Sequence, residues 1–373
     1  GTGVYSMLSD APGMEAGPVL VRPGKAVESF MVSDAALIFG DPTVDAVVET
    51  LGGLDPAYSY GMRALEAGKH FITANKAMVA SHGLELAALA REKGAAFLFS
   101  AACGGGVPFL HNLALSAETD RIEAVSGILN GTTNYMLDAM QRRGLSYGDA
   151  LREAQSLGYA ESDPTADVSG LDALRKMQLA CAVAFGVLPQ SGMLCEGMEH
   201  FTAADVEDIQ SRGLVCRLMA RGSRAGESVS AYVEPVLFPR AAPESSVFTN
   251  NNMARYTGKR CGSIVLMGQG AGRFPTASAV LRDLSAAQQG ARSMFPENCR
   301  AAEADNREAV HSYYIRTGGF AAVRLSLRSV LAQGEVVRAV TEPMSAEKMH
   351  ALAQNIRKDG NDLFFAALEE ELC

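Results

Sequence analysis

Two stretches of this chain concentrate groups that can move a proton and hold a charged small molecule. The first, residues 158–176, reads GYAESDPTADVSGLDALRK and carries four carboxylates and a terminal lysine. Asp163-Pro164 and Ser169-Gly170 are turn dipeptides, so a loop precedes the helix-forming run Leu171–Phe185. Asp172 and Lys176 then stand at i,i+4 on one helical face, with the acid N-terminal. Glu161 lies on the loop that leads in. A lysine beside carboxylates keeps its proton until it delivers it, and a free carboxylate can hold an ammonium. That outlines proton transfer on an amino-acid substrate. The same residues also make an ordinary solvated Asp–Lys pair after an acidic loop, since such pairs are common and weak. The second stretch, residues 127–137, reads GILNGTTNYML and follows the strand-like RIEAVSGIL. Its Asn-Gly-Thr-Thr-Asn run offers N–H groups, amides and hydroxyls at a helix start, a good place to bind a polar ligand. A plain turn and N-cap would use the same residues.

These groups need a scaffold, and the first hundred residues read as alternating strand and helix. Strands are expected at Pro18–Arg22, Val44–Glu49, His70–Ala74 and Ala96–Ser100, with helices at Ala57–Ala67 and Gly83–Lys93. Strands separated by helices imply a parallel sheet with right-handed crossovers. Ligands bind such sheets at the carboxyl ends of the strands. Thr50-Leu51-Gly52-Gly53, Asn75-Lys76 and Ser100–Val107 all lie just past a strand, at one sheet edge. Further strands are expected at Val229–Val233 and Val247–Thr249. The run from Gly268 to Val280, GQGAGRFPTASAV, suits a close-approach glycine turn followed by a helix with proline in its first turn.

Together the two stretches resemble the signature of the homoserine dehydrogenases, GILNGTTNY followed by GYAE.DPT.DV.G.DA..K. The resemblance runs from Gly1 to about Asp283, and more loosely beyond. It implies an α/β fold: a Rossmann-type nucleotide-binding domain (residues 1–111 plus 263–300), an α+β substrate and dimerisation domain (112–262), and a small C-terminal α+β unit (308–373) like the regulatory ACT domain. It implies reversible, NAD(P)H-dependent reduction of L-aspartate 4-semialdehyde to L-homoserine in threonine and methionine synthesis. Lys176 would be the general acid, oriented by Asp172, with Lys76 bridging cofactor and substrate. Glu161 would take the substrate ammonium with Asp167 nearby, Gly131 and Thr132 the carboxylate end, and Tyr159 would line the pocket.

On the same resemblance Gly1 is the third glycine of a G-x-G-x-x-G fingerprint, so the first strand and two glycines are expected to be missing. Gly52, Asn75, Gly270 and Gly272 would touch the cofactor. Arg22, near Lys25, would meet a 2′-phosphate, which favours NADP over NAD. Ser100, Cys103, Gly105 and Val107 would offer carbonyls to a sodium ion, although the family usually has Glu at the Ser100 position. A plain glycine-rich turn competes with that cation loop, and Cys103 reads as a small packed residue.

Within residues 308–373, strands are expected at His311–Thr317, Glu335–Thr341 and Asp362–Leu368, with helices at Ala321–Leu331 and Ser345–Lys358. Gly318-Gly319 stands where a ligand-binding Asp-x-x-Gly turn is typical of ACT domains. Composition suits a soluble enzyme: 373 residues, 48% hydrophobic, 20% charged and net charge −9. No basic block points to nucleic acid or an anionic membrane. The longest apolar run, near residues 179–188, is too short to span a bilayer. The seven cysteines are odd in number and unpatterned, as for reduced thiols. Nothing at the Gly-Thr-Gly start resembles a signal peptide, so a cytoplasmic protein is expected, and the resemblance implies a homo-oligomer, dimer or tetramer. Two other readings remain open: another amino-acid semialdehyde dehydrogenase, or an NADPH- or amino-acid-binding protein without turnover.

Overall fold

Short apolar segments punctuated by glycine and proline build the N-terminal part. The computed structural model describes residues 1–318 and 326–369. Its first elements are α1 (Thr2–Leu8), β1 (Val19–Leu20), β2 (Met31–Val32), α2 (Ala36–Phe39), β3 (Ala46–Glu49), α3 (Ala57–Glu66), β4 (His70–Thr73), α4 (Lys76–Lys93), β5 (Phe97–Leu98) and α5 (Phe109–Thr119). β3, β4 and β5 form a parallel sheet in that order. Ala64 and Leu65 of α3, and Leu86 and Ala90 of α4, are fully buried. Gly94, at φ 67°, closes α4 in the left-handed region.

The helix expected from Gly83 begins at Lys76 instead. Asn75 caps it, its side-chain oxygen accepting the Met78 N–H at 3.1 Å. The strand expected over Pro18–Arg22 shortens to β1. It pairs in parallel with β2, a two-residue strand too short to show a sequence period, in a sheet of its own.

The middle of the chain supplies β6 (Ile122–Ile128), α6 (Gly131–Arg143), α7 (Tyr147–Ser156), α8 (Thr165–Val168), α9 (Leu171–Phe185), β7 (Val187–Ser191), β8 (Leu194–Cys195), α10 (Ala203–Ser211), β9 (Leu214–Ala225), β10 (Ser228–Pro239), β11 (Asn251–Gly258) and β12 (Gly262–Gln269). α11 (Arg273–Gln288) then packs on α1. A Cβ on Gly3 would lie 2.8 Å from the Arg273 carbonyl oxygen, so the two helices approach at glycine distance. Residues 247–249, expected as a strand, form a loop instead. The strand begins at Asn251, where pairing with β6 and β12 becomes available.

After β13 (Arg300–Glu303) come β14 (Val310–His311), β15 (Tyr313–Gly318), β16 (Leu327–Ala332), β17 (Val336–Thr341), β18 (Met344–Ser345), α12 (Ala346–Lys358) and β19 (Leu363–Leu368). The helix expected over Ala321–Leu331 is not what its described part forms. Leu327–Ala332 is a strand, because antiparallel pairing with β17 overrides local propensity. Residues 319–325, including Gly319 of the expected ligand turn, lie outside the described residues.

One ten-stranded sheet runs β12-β11-β6-β9-β10-β19-β15-β17-β16, with β8 added beside β10. The C-terminal segment is therefore hydrogen-bonded into the sheet of the middle region, β19 lying parallel to β10. Tyr313, Ile315 and Phe365 share an apolar cluster with Val236 and Phe238. Two ion pairs cross the same seam: Arg357–Glu196 at 2.6 Å and Arg316–Asp205 at 2.7 Å. Among the described residues no helix is long and apolar enough to cross a membrane.

Candidate active site

α9 starts at Gly170, whose φ of 82° turns the chain sharply, and ends at Gly186. It is buried on most sides, with Met177, Ala180, Cys181 and Ala182 in the core. The i,i+4 pair of its first turns is thereby taken out of water. Lys176 Nζ lies 2.7 Å from Asp172 Oδ2, and the two side chains are 11% and 13% exposed. Lys76, at the start of α4, reaches the other oxygen of the same carboxylate at 3.0 Å. Asp172 thus sits between two ammonium groups, one from α4 and one from its own helix α9. Lys176 also donates to the Leu129 carbonyl at 2.6 Å.

The electrostatics follow from this bridge. Burial works against the charged form of Asp172, but the two ammonium groups outweigh it and hold the carboxyl far below the usual range. Burial likewise disfavours the Lys176 ammonium, and the Asp172 carboxylate overcomes it, so Lys176 ends above the ordinary lysine range. Asp167, on α8, is the exception. Burial raises its carboxyl, only partly offset by the Asn130 side chain.

Asn130 ties this group together; from sequence it belongs to a polar ligand-binding run but has no role of its own. Its Nδ2 donates to Asp167 Oδ1 at 2.6 Å and to Asp172 Oδ2 at 3.0 Å. Its Oδ1 meanwhile caps α6 through the Thr133 N–H at 2.9 Å. An asparagine before a helix reads as an N-cap alone, which hides the second role. Thr132 is buried and donates to the Tyr159 carbonyl, with Asp167 Oδ2 3.4 Å away. Gly131 lies next to them at the start of α6. Tyr159 is 37% exposed and its ring packs on Tyr135. Glu161 sits on the exposed loop, held through its backbone carbonyl by Gln155, and its side chain is not brought to the lysines.

A cleft of about 390 Å³ opens beside the bridge, at the carboxyl end of β3 and β4. Gly1, Gly52, Asn75 and Gly272 line it, together with Glu49, Arg273 and Thr276. Glu49 is buried and shapes the loop after β3, its Oε1 accepting the Leu51 N–H at 2.5 Å and its Oε2 the Thr73 hydroxyl at 2.5 Å. A lone glutamate at a strand end gave no sequence signal. Asn75 donates to the Gly53 carbonyl at 2.6 Å, fixing the loop that carries Gly52. Gly272 and Arg273 bring the N-terminal end of α11 to the cleft, where its N–H groups and dipole suit a phosphate. Gly270 lies behind the cleft wall, against Gly105. Arg22 is exposed after β1 and outside the residues that line the cleft.

The Ser100–Val107 loop packs against this wall. The Ser100 carbonyl accepts the Cys103 N–H at 3.2 Å and the Val107 carbonyl the Phe109 N–H at 2.7 Å, so each keeps one lone pair. Gly105 has φ 51°. Behind the loop, Asp283 is fully buried. Its Oδ2 accepts the Ser100 N–H at 2.8 Å, while its Oδ1 has no partner. Burial lifts this carboxyl to about 6. Cys103 is buried beside Lys176, and burial pushes its thiol up to about 12.

Comparison with known proteins identifies the family. The family model described as homoserine dehydrogenase matches residues 108–285, and that of the homoserine dehydrogenase NAD-binding domain matches residues 24–100. The homoserine dehydrogenase of Corynebacterium glutamicum is 40% identical over 269 residues, 70% of this chain and 60% of its own length. That of Synechocystis is 40% identical over 259 residues, 68% of this chain and 60% of its own length. The chain thus spans about 60% of the length of these curated relatives. The crystal structure of a homoserine dehydrogenase from Thiobacillus denitrificans superposes with a TM-score of 0.80 at 30% identity, covering 91% of this chain and 85% of that one. A hyperthermophilic archaeal homoserine dehydrogenase in complex with NADPH gives a TM-score of 0.60 at 27% identity, covering 72% of this chain and 77% of that one.

Proposed function

We propose that this chain, which belongs to the homoserine dehydrogenase family, reduces L-aspartate 4-semialdehyde to L-homoserine, reversibly, with NAD(P)H. The observation that carries the reading is the Asp172 carboxylate held between Lys176 at 2.7 Å and Lys76 at 3.0 Å. When bound, the nicotinamide cofactor supplies the hydride. Gly1, Gly52, Asn75, Gly272 and Arg273 would hold it, since the cleft they line offers glycine backbone, the N-terminal end of α11 and a guanidinium.

Lys176 is the general acid, giving its proton from Nζ to the aldehyde oxygen as that oxygen becomes an alkoxide. Asp172 and the Leu129 carbonyl aim Nζ and keep it charged. Lys76, reaching Asp172 from the cofactor side, steadies the same carboxylate and places the carbonyl against the cofactor. Asp167, Thr132 and Gly131 form the floor for the amino-acid end of the substrate. Glu161 would take the ammonium by closure of its exposed loop, with Tyr159 at the rim.

The Ser100–Val107 loop is where we assign a monovalent cation such as sodium, with the orphaned Asp283 Oδ1 as nearby negative charge. Strand β12 leaves Val265 and Met267 exposed at the sheet edge, which supports a homo-oligomer. The six described cysteines are free, which supports a reducing, cytoplasmic setting.

The test is Lys176→Met assayed by homoserine-dependent NADP⁺ reduction. Turnover should fall by about 100-fold or more while cofactor binding persists. Unchanged turnover would remove Lys176 from the reaction.

A further inference from the structure

Four backbone segments meet behind the cleft at distances that only glycine permits. A Cβ on Gly105 would lie 2.5 Å from the Gly270 carbonyl oxygen, and a Cβ on Gly270 would collide with the side-chain amide of Asn252. On the far side, a Cβ on Gly131 would lie 2.7 Å from the Asn250 carbonyl and 3.5 Å from Asn252 Oδ1. The Asn252 side chain is therefore wedged between the loop that carries Gly270, next to the cofactor cleft, and the turn that carries Gly131, next to Asn130.

The segment around Asn252 is held firmly. Asn134 Nδ2 donates to the carbonyls of Val247 at 3.0 Å, Thr249 at 2.9 Å and Asn251 at 3.2 Å. Thr249 is kept at φ 57°, a strained value for a β-branched residue, by the Asp138 carboxylate on its N–H. Yet at the end of this pinned segment, both polar atoms of the Asn252 amide are buried without a hydrogen-bond partner, and the residue is 2% exposed. A leucine would fill the same space without burying an unpaired amide, so packing alone does not account for asparagine. Its donor and acceptor face two glycine backbones, each with an N–H and a C=O that a small loop movement would present.

We propose that Asn252 is a positioning residue that couples the cofactor loop at Gly270 to the substrate turn at Gly131. Movement of the Gly268–Gly272 loop on cofactor binding engages the amide, which then sets Gly131 for the amino-acid end of the substrate. The identity of the two ligands rests on the function proposed above. By linkage each ligand then tightens the other by the same factor.

The test uses the full chain with NADPH and homoserine, a pair that cannot turn over. NADPH affinity is read from its own fluorescence with and without homoserine. In the unaltered chain homoserine should tighten NADPH about tenfold. Asn252→Leu keeps the bulk and removes the amide, and Asn252→Ala removes both. In each the tightening should vanish, while the limbs of the kcat–pH profile stay at the same pH, because neither change touches the proton-transfer groups. Full coupling in a folded Asn252→Leu variant would overturn the proposal and reduce Asn252 to a packing residue. Turnover of homoserine by the unaltered chain without any coupling would also overturn it. Absence of turnover would instead overturn the assigned reaction, and with it the ligand pair.

Discussion

Asp172→Asn is the most informative perturbation of the lysine bridge, because it removes one charge from two partners that differ in access to water. Lys176 is 11% exposed and would keep only the Leu129 carbonyl. Lys76 is 34% exposed and can turn toward solvent. Stranding a buried charge costs about 3–5 kcal/mol, whereas losing a half-exposed pair costs about 1 kcal/mol or less. The loss is thus dominated by Lys176 and is a large part of the roughly 5–15 kcal/mol that holds a domain together. Lys176→Met should cost much less, since Asp172 keeps Lys76 at 3.0 Å.

The pH dependence has a defined sign. Lys176 is raised, so its pairing energy is fully present below the ordinary lysine range and is lost as pH rises through the raised value. Asp172 is depressed, so its share is present above the ordinary carboxylate range and is lost as pH falls through the depressed value. In the Asn variant burial acts on Lys176 without the Asp172 carboxylate, the main group opposing it, and lowers it. The alkaline limb of aldehyde reduction should then move down by about one pH unit or more, with turnover reduced about 100-fold or more at neutral pH. Urea unfolding and pH–rate profiles of both variants are the assays. An alkaline limb that does not move, or equal stability losses in the two variants, would refute the bridge as described.

Other outcomes follow from the same structure. A chain ending at Asn306 should be insoluble or unfolded, because it removes Tyr313, Ile315 and Phe365 from the apolar cluster, exposes Val236 and Phe238, and strips β10 of its β19 neighbour; solubility and circular dichroism decide this, and a folded, active product would show that the C-terminal segment is dispensable. Cys103, buried with its thiol at about 12, should resist iodoacetamide in the native protein at neutral pH, whereas exposed Cys261 should react; peptide mass mapping separates the two, and early labelling of Cys103 would contradict its burial.

What could be read from the sequence was mostly local. Asp172 and Lys176 are one helical turn apart, so their meeting followed from spacing once Gly170 marked the helix start. Lys76 joined them only through family resemblance, because no periodicity links residues so far apart in the chain. Glu49 and the particular role of Asn130 were missed, since each has an ordinary local role, ending a strand or capping a helix, that conceals what the fold adds. Leu327–Ala332 was misread because its state is set by β17, not by its own propensity. Glu161 shows the converse. Its motif is clear, yet the residue is exposed on the loop before α8.

The parallel pairing of β10 with β19 bears on how the protein is made. Val236 finds its partner at Ala367, so roughly a third of the chain must be synthesised after β10 before its edge is covered. At translation rates of about 5–20 residues per second, that edge stays open on the ribosome for on the order of ten seconds. β10 is buried along most of its length and paired with β9 on one side, but its other side is covered only by β8 until β19 arrives. Chaperone demand and inclusion-body yield should therefore respond to anything that delays the last hundred residues, such as rare codons there. Faster delivery of β19 should help more than added stability in the nucleotide-binding part.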